Sequence, residues 1–257
     1  MNLSDIRLSG LAAKALALLL LSGCAASLHA QSKFHTYFSK EELPDLVQCL
    51  PAPPDTIDPE FARDIMRYMW GKTQRLDKER AEMAVRDAVW TLEALLAEFN
   101  EPFGMEISPE KTPEIWKVAT EGISTIEMIR IEPKKFYFRK RPFDRFNEHM
   151  LTPWEEDELR GEGSYPSGHT IRGWAAALIL AEINPDAAEA IFKRGWMYGE
   201  SRVIVGAHWQ SDVDASRPAA SIGYAKLQTS PEFQAQMAKA KKEFQKLSRR
   251  CCKKKAA

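Results

Sequence analysis

The chain has 257 residues, 44% of them apolar and 28% charged, the balance of one or two globular units. Thirty-six basic residues offset thirty-six acidic ones. The formal net charge of zero excludes a global field that would draw the protein to nucleic acid or anionic lipid, so any functional charge must be local.

Arg7 and Lys14 precede the apolar run Ala15 to Leu21, which ends in small residues and reads as a secretory signal. The run falls short of the roughly 20 apolar residues that span a bilayer, and nothing downstream is longer. The expectation is an exported, periplasmic protein without a transmembrane segment. Two cleavage readings stay open. Leu21-Ser22-Gly23-Cys24 resembles a lipobox, which makes residues 1–24 the signal and Cys24 a lipidated N-terminus that attaches the protein to a membrane. Ordinary cleavage near residue 30 is the other. Cys49, Cys251 and Cys252 then remain, an odd count that leaves at least one free or intermolecular thiol without settling any pairing. No Cys/His spacing resembles a zinc site.

Residues 31–56 are polar and end in Pro51-Ala52-Pro53-Pro54-Asp55, an extended lead-in. The folded domain is expected over 57–247. Asp58-Pro59 opens a helix through about Trp70, with proline in its first turn. Met83, Ala84, Ala88, Leu92, Leu95, Leu96 and Phe99 recur at helical spacing, which predicts one long helix over 77–99. Pro113 starts another, to about Met128. Residues 142–165 are rich in Pro, Gly and acidic side chains and read as a long surface loop. Helices follow over 169–183 and 186–200, parted by Asn184-Pro185, then over 205–226 and 231–247, with a basic frayed tail at 248–257. Alternating strand patterns are nearly absent, so the fold class is all-α: a single compact domain of roughly eight helices. Trp90, Trp116, Trp174 and Trp196 read as packing residues.

Three motifs carry chemistry: Lys134-x6-Arg141-Pro142, Pro166-Ser167-Gly168-His169, and Ser201-Arg202-x5-His208-x3-Asp212. Ser167 is placed as the N-cap of an apolar helix, and Gly168 lets backbone approach a ligand. Free N–H groups and the helix dipole at such a start favour an anion, with His169 beside it to protonate a leaving oxygen. His208 and Asp212, four apart, share a face if helical, so the carboxylate can fix one imidazole tautomer and free the other nitrogen to attack. Arg202 offers a planar fork for phosphate oxygens, and Lys134 and Arg141 can converge on the same group. Taken singly, each motif is as well explained by a capped helix, a surface His–Asp pair or a solvated basic face. Together they form a kit for holding a tetrahedral oxyanion and attacking its central atom, with no metal or cofactor required.

Eleven positions in fixed order, each matched by chance about one time in twenty, make coincidence negligible. Their order and gaps resemble the signature of the phosphatidic-acid-phosphatase type 2 (PAP2) superfamily. Gly163-Ser-Tyr-Pro-Ser-Gly-His-Thr170, Gly199-Glu-Ser-Arg-Val203, Gly206-Ala-His-Trp-Gln-Ser-Asp-Val-Asp214 and Lys140-Arg-Pro-Phe143 resemble the bacterial class A non-specific acid phosphatases. The resemblance covers about residues 50–230. It implies the all-α fold shared with vanadium haloperoxidases and hydrolysis of phosphate monoesters through a phosphohistidine, leaves phosphotransfer open as a side activity, and suggests a homo-oligomeric state. By position it makes His208 the nucleophile, Asp212 its orienting carboxylate and His169 the general acid. Lys134, Arg141, Arg202, Ser167 and the Gly168 N–H would hold the phosphoryl oxygens. Val205 stands where the family commonly has cysteine, which places the family's disulfides in doubt here. A haloperoxidase, a membrane lipid phosphatase and an oxyanion-binding lipoprotein are the competing readings. Compact length and the class A flanks oppose the first, the lack of spanning helices the second, and the complete His–His–Asp set the third.

Overall fold

The computed structural model describes residues 34–255, so the signal segment and Cys24 lie outside the described residues. Among the described residues there are thirteen α-helices and no strand, the all-α architecture that the sequence predicts. In chain order they are α1 (Leu46–Cys49), α2 (Pro59–Gln74), α3 (Lys78–Arg86), α4 (Leu92–Ala97), α5 (Asn100–Phe103), α6 (Pro113–Glu127), α7 (Ile131–Tyr137), α8 (Pro142–Phe146), α9 (Glu156–Arg160), α10 (Gly168–Ile183), α11 (Ala188–Ile204), α12 (Gln210–Leu227) and α13 (Pro231–Lys255). Cys49 is an exposed free thiol.

Helix α10 is the axis of the fold. It is apolar nearly all round, and Ile171, Ala175, Ala176, Ala177, Ile179 and Leu180 are fully buried. Such a helix must be surrounded by others, and α6, α11, α12 and α13 pack on it. Burying each Ile or Leu side chain contributes about 1.5–3 kcal/mol, so the N-terminus of α10, where Ser167 to His169 lie, is held on a rigid support.

Five expectations change in the structure. The long helix over 77–99 is broken into α3 and α4 at 87–91. Asp87 is completely buried there, bound by Arg194 and accepting a 2.6 Å hydrogen bond from the Ser201 hydroxyl, while Thr91 caps α4. A buried carboxylate with specific partners outweighs helical continuity. The lead-in is extended only over 51–55. Before it, Leu43 and Leu46 are buried and α1 forms with Asp45 as its cap. The loop of 142–165 contains α8 and α9 and folds inward, with Glu156 buried. The helix over 205–226 begins only at Gln210, because Gly206 adopts φ +90° and turns the chain out of α11. Finally, α13 continues to Lys255, through the segment expected to fray.

Candidate active site

Lys134 and Arg141 are seven residues apart yet meet. Helix α7 carries Lys134 and ends at Phe138, which takes the left-handed conformation, φ +38°. That non-glycine residue at positive φ is locally unfavourable, and it reverses the chain so that Arg141 becomes the N-cap of α8, locked by Pro142. Both side chains are buried, 4% and 2% exposed. The Lys134 ammonium donates to the Gly163 carbonyl at 2.6 Å. Arg141 spends its fork on the carbonyls of Leu159 and Glu162 through Nε, at 2.9 and 3.1 Å. Its Nη1 donates to the Ala207 carbonyl at 3.1 Å and faces His208 Nε2 at 3.0 Å.

That last contact sets the tautomer. Arginine can only donate, so Nε2 of His208 is the bare nitrogen and the ring proton sits on Nδ1. Nδ1 lies 3.4 Å from Asp212 Oδ2. The separation is within ion-pair range, but the angle makes no directed hydrogen bond, so the contact is electrostatic rather than a formed bond. His208 and Asp212 do not share a helix face as their spacing suggests. His208 stands in the turn before α12, and Asp212 is the third residue of that helix. Asp212 Oδ2 accepts from the Trp209 N–H at 2.9 Å and Oδ1 from Arg139 at 2.6 Å. The helix start, not a shared face, brings the pair together.

Ser167 caps α10: its hydroxyl accepts from the Thr170 N–H at 3.4 Å and the Thr170 hydroxyl at 2.9 Å. Gly168 is the first helical residue. A Cβ there would lie 2.9 Å from Arg130 Cδ and 3.3 Å from the Trp90 ring. His169, 6% exposed, hydrogen-bonds through Nε2 to the Ala88 carbonyl at 3.0 Å and sits edge-on to Trp90, ring centroids 4.5 Å apart. The break between α3 and α4 therefore supplies both neighbours of His169.

Lys134, Arg141, Gly168, His169 and His208 line one cavity of about 90 Å³, together with Trp90, Arg130, Glu155 and Glu162. Asp212 is fully buried beside His208, and Ser167 is fully buried within the α10 cap. Arg202 is also fully buried and is paired at 3.0 Å with Glu155 on the cavity wall. The electrostatics follow from burial among cations. Burial, then Arg141, Lys134 and Arg202, holds His208 well below the usual histidine range. Burial, then Arg202 and Arg172, does the same to His169, against the pull of the Ala88 carbonyl. Burial and Arg141 push the Lys134 ammonium well down, offset in part by Glu162. Arg141 is pulled down to about 10, chiefly by burial. Burial among like charges thus disfavours the charged forms of the lysine and both imidazoles in this cavity.

Three participants lie outside the motifs. Arg130 is a further cation on the cavity wall. Arg139 clamps Asp212 and, at 2.8 Å, Asp64, which in turn accepts from the Ser211 N–H at 2.8 Å. Trp90 packs against His169 as well as lining the cavity, and is 42% exposed there. The only sequence signal for the arginines was their place in or beside the basic run, and for Trp90 there was none.

Gly163 joins the two cation-bearing segments. A Cβ there would collide with the Lys134 carbonyl oxygen and lie 3.1 Å from Phe138 Cα, both backbone. Gly163→Ala is expected to cost about 1–3 kcal/mol in chemical denaturation through overpacking and to lower kcat/KM by displacing Lys134. A variant as stable and active as the parent would refute the close approach.

The PAP2 superfamily profile matches residues 118–225, which contain every one of these motif residues. The chain is 42% identical over 214 residues to a non-specific acid phosphatase of Providencia stuartii, covering 83% of this chain and 86% of that protein. It is 40% identical over 210 residues to a non-specific acid phosphatase of Salmonella typhimurium (81% and 83% covered). An acid phosphatase of Zymomonas mobilis is 35% identical over 198 residues (77% and 74%). The chain, with its all-α fold, belongs to the PAP2 superfamily. Within it, the chain belongs to the class A non-specific acid phosphatases.

Proposed function

We propose that the protein is an acid phosphatase that hydrolyses phosphate monoesters through a phosphohistidine on His208. The observation that carries this reading is the unprotonated Nε2 of His208, held in the cavity against Arg141 with Asp212 behind its other nitrogen. When a phosphoryl group enters, Arg141 and Lys134 direct donors to its oxygens, joined by Arg202 and the Gly168 N–H. Nε2 attacks phosphorus in line, a P–N bond forms and the P–O ester bond breaks. The leaving alkoxide takes a proton from His169. Water then attacks phosphorus, gives its proton back to His169 and releases phosphate and neutral His208. Since the Nε2 proton of His169 is committed to the Ala88 carbonyl, Nδ1 is the nitrogen that exchanges the working proton. The transferring group carries its charge on three equatorial oxygens, so preorganised cations and N–H donors supply most of the stabilisation. Export by the segment at 1–24, lipidation of Cys24, a phosphotransfer side activity and homo-oligomeric assembly belong to the same proposal. Rapid-quench trapping of an acid-labile, base-stable phosphoprotein during turnover of p-nitrophenyl phosphate tests it, and an alkali-labile or absent adduct would refute it.

Orthovanadate is expected to inhibit competitively, because a trigonal-bipyramidal vanadate on Nε2 imitates the transferring group. Transition-state analogues bind at least about 10²-fold tighter than substrates. A vanadate inhibition constant equal to that of inorganic phosphate would count against a preorganised site.

The dependence on pH follows from the two imidazoles. Attack needs neutral His208, and departure needs protonated His169. Both are depressed in the free protein by burial and neighbouring cations. The protonated form of His169 is lost as pH rises through a value below the ordinary 6.5, so kcat/KM should peak in the acid range and fall before neutrality. A bound phosphoryl dianion offsets the cations and raises His169, so the alkaline limb of kcat should lie at higher pH than that of kcat/KM. Coincident limbs, or an alkaline optimum, would contradict the assignment.

A further inference from the structure

The cations of the site are not empty-handed. Glu162 lies outside the three motifs, immediately before Gly163. Its Oε1 accepts from Arg130 at 2.7 Å, and its Oε2 lies 3.4 Å from the Lys134 ammonium and 3.3 Å from Arg141 Nη2. One carboxylate thus takes up donors of three cations on the cavity wall, two of which the proposed mechanism assigns to phosphoryl oxygens. A second carboxylate, Glu155, covers Arg202.

A carboxylate and a phosphoryl dianion cannot share these donors, since like charges in one site disfavour each other. Protonation does not remove the conflict. Burial pushes the Glu162 carboxyl up, but Lys134, Arg130 and Arg141 together bring it below the usual carboxylate range, so it is charged in weakly acidic solution. The side chain must therefore move. The backbone is pinned, because Arg141 Nε binds the Glu162 carbonyl and Lys134 binds that of Gly163. The side chain is 40% exposed, so the carboxylate borders solvent. A change of rotamer toward that solvent would release the cations without opening the loop.

We propose that Glu162 is an affinity-determining residue of the phosphoryl site, an internal competitor whose carboxylate occupies the cations of the free enzyme, yields them to substrate and retakes them as phosphate leaves. The inference rests on the reading of the cavity as a phosphoryl site. It differs from a strut that merely holds the cations in place, and the two roles predict opposite signs. A ligand that must displace a competing arrangement binds more weakly by the fraction of time the site is open. Glu162→Gln removes the negative charge that pairs with Lys134, Arg130 and Arg141, so it shifts that fraction toward open.

The test is titration calorimetry with inorganic phosphate on the mature full-length protein and its Glu162→Gln and Glu162→Ala variants, alongside steady-state hydrolysis of p-nitrophenyl phosphate. Both variants are expected to bind phosphate about tenfold more tightly. KM should fall in parallel, and kcat should stay level or drop as phosphate release slows. Glu162→Asp, which keeps the charge on a shorter arm, should fall between. Phosphate affinity that is unchanged or weaker in both Gln and Ala variants, with turnover intact in the parent, overturns the competitor role and leaves the phosphatase reading standing. A parent protein that neither binds phosphate nor hydrolyses the ester overturns both.

Discussion

Replacing His208 by alanine is expected to abolish phosphoenzyme formation with every ester and to lower kcat by at least about 10⁴-fold, the scale seen when an enzyme loses its nucleophile. The reason is geometric. His208 Nε2 is the imidazole nitrogen facing Arg141 at 3.0 Å, and its proton is placed on the opposite nitrogen, toward Asp212. His169 is not expected to substitute, since its Nε2 is engaged by the Ala88 carbonyl and its Nδ1 serves the leaving oxygen. Phosphate binding should survive, because Lys134, Arg141 and Arg202 remain. The combination of retained binding with no trapped adduct separates a lost nucleophile from a collapsed site. Trapped phosphohistidine in the His208→Ala protein would show that the attack comes from elsewhere.

Replacing His169 by alanine is expected to be selective among substrates. A general acid contributes roughly 10²–10⁴-fold where the leaving group needs its proton. Alkyl phosphates should lose nearly all of that factor, whereas p-nitrophenyl phosphate, whose leaving group is stable as an anion, should lose far less. The phosphoenzyme should still form. Its breakdown should slow with both esters, because the same residue receives the proton of the attacking water. Trp90 adds a structural check: its ring packs edge-on against His169 and between Arg130 and Arg172, with ring-centre distances of 5.2 and 4.0 Å to the two guanidinium carbons. A melting comparison of the variant with its parent excludes repacking of that stack as the cause. Equal slowing of both ester classes in the first step would show that His169 acts on binding rather than on departure.

The longer helices and their order were legible because each rests on local rules. Pro59 and Pro113 occupy first turns, Ser167 is a cap, and the apolar run after it is a core helix. The reacting residue types and their order were also legible, because three cations, two imidazoles and a carboxylate at fixed gaps form a pattern that chance does not produce. Where the reading went astray, a distant partner or a single turn residue decided. Periodicity carried 77–99 as one helix, but Asp87 is claimed by Arg194 and Ser201, more than a hundred residues on. The i, i+4 spacing suggested a shared helix face for His208 and Asp212, but Gly206 ends the preceding helix and the pair meets across a helix start instead.

The amino-acid sequence by itself determined that this is an all-α chain carrying three cations, a carboxylate and two histidines in the family's order, since propensity, capping and residue chemistry are properties of short segments. Only the tertiary structure decided which atoms meet. It set Nε2 of His208 against the Arg141 guanidinium, which makes that nitrogen the acceptor, and it placed Arg139 on Asp212. It also showed that Ala88 and Trp90 flank His169 and that Glu162 stands among the cations. Those facts depend on burial and on contacts between segments up to a hundred residues apart, where the field at a group is the sum over neighbours that no local pattern contains.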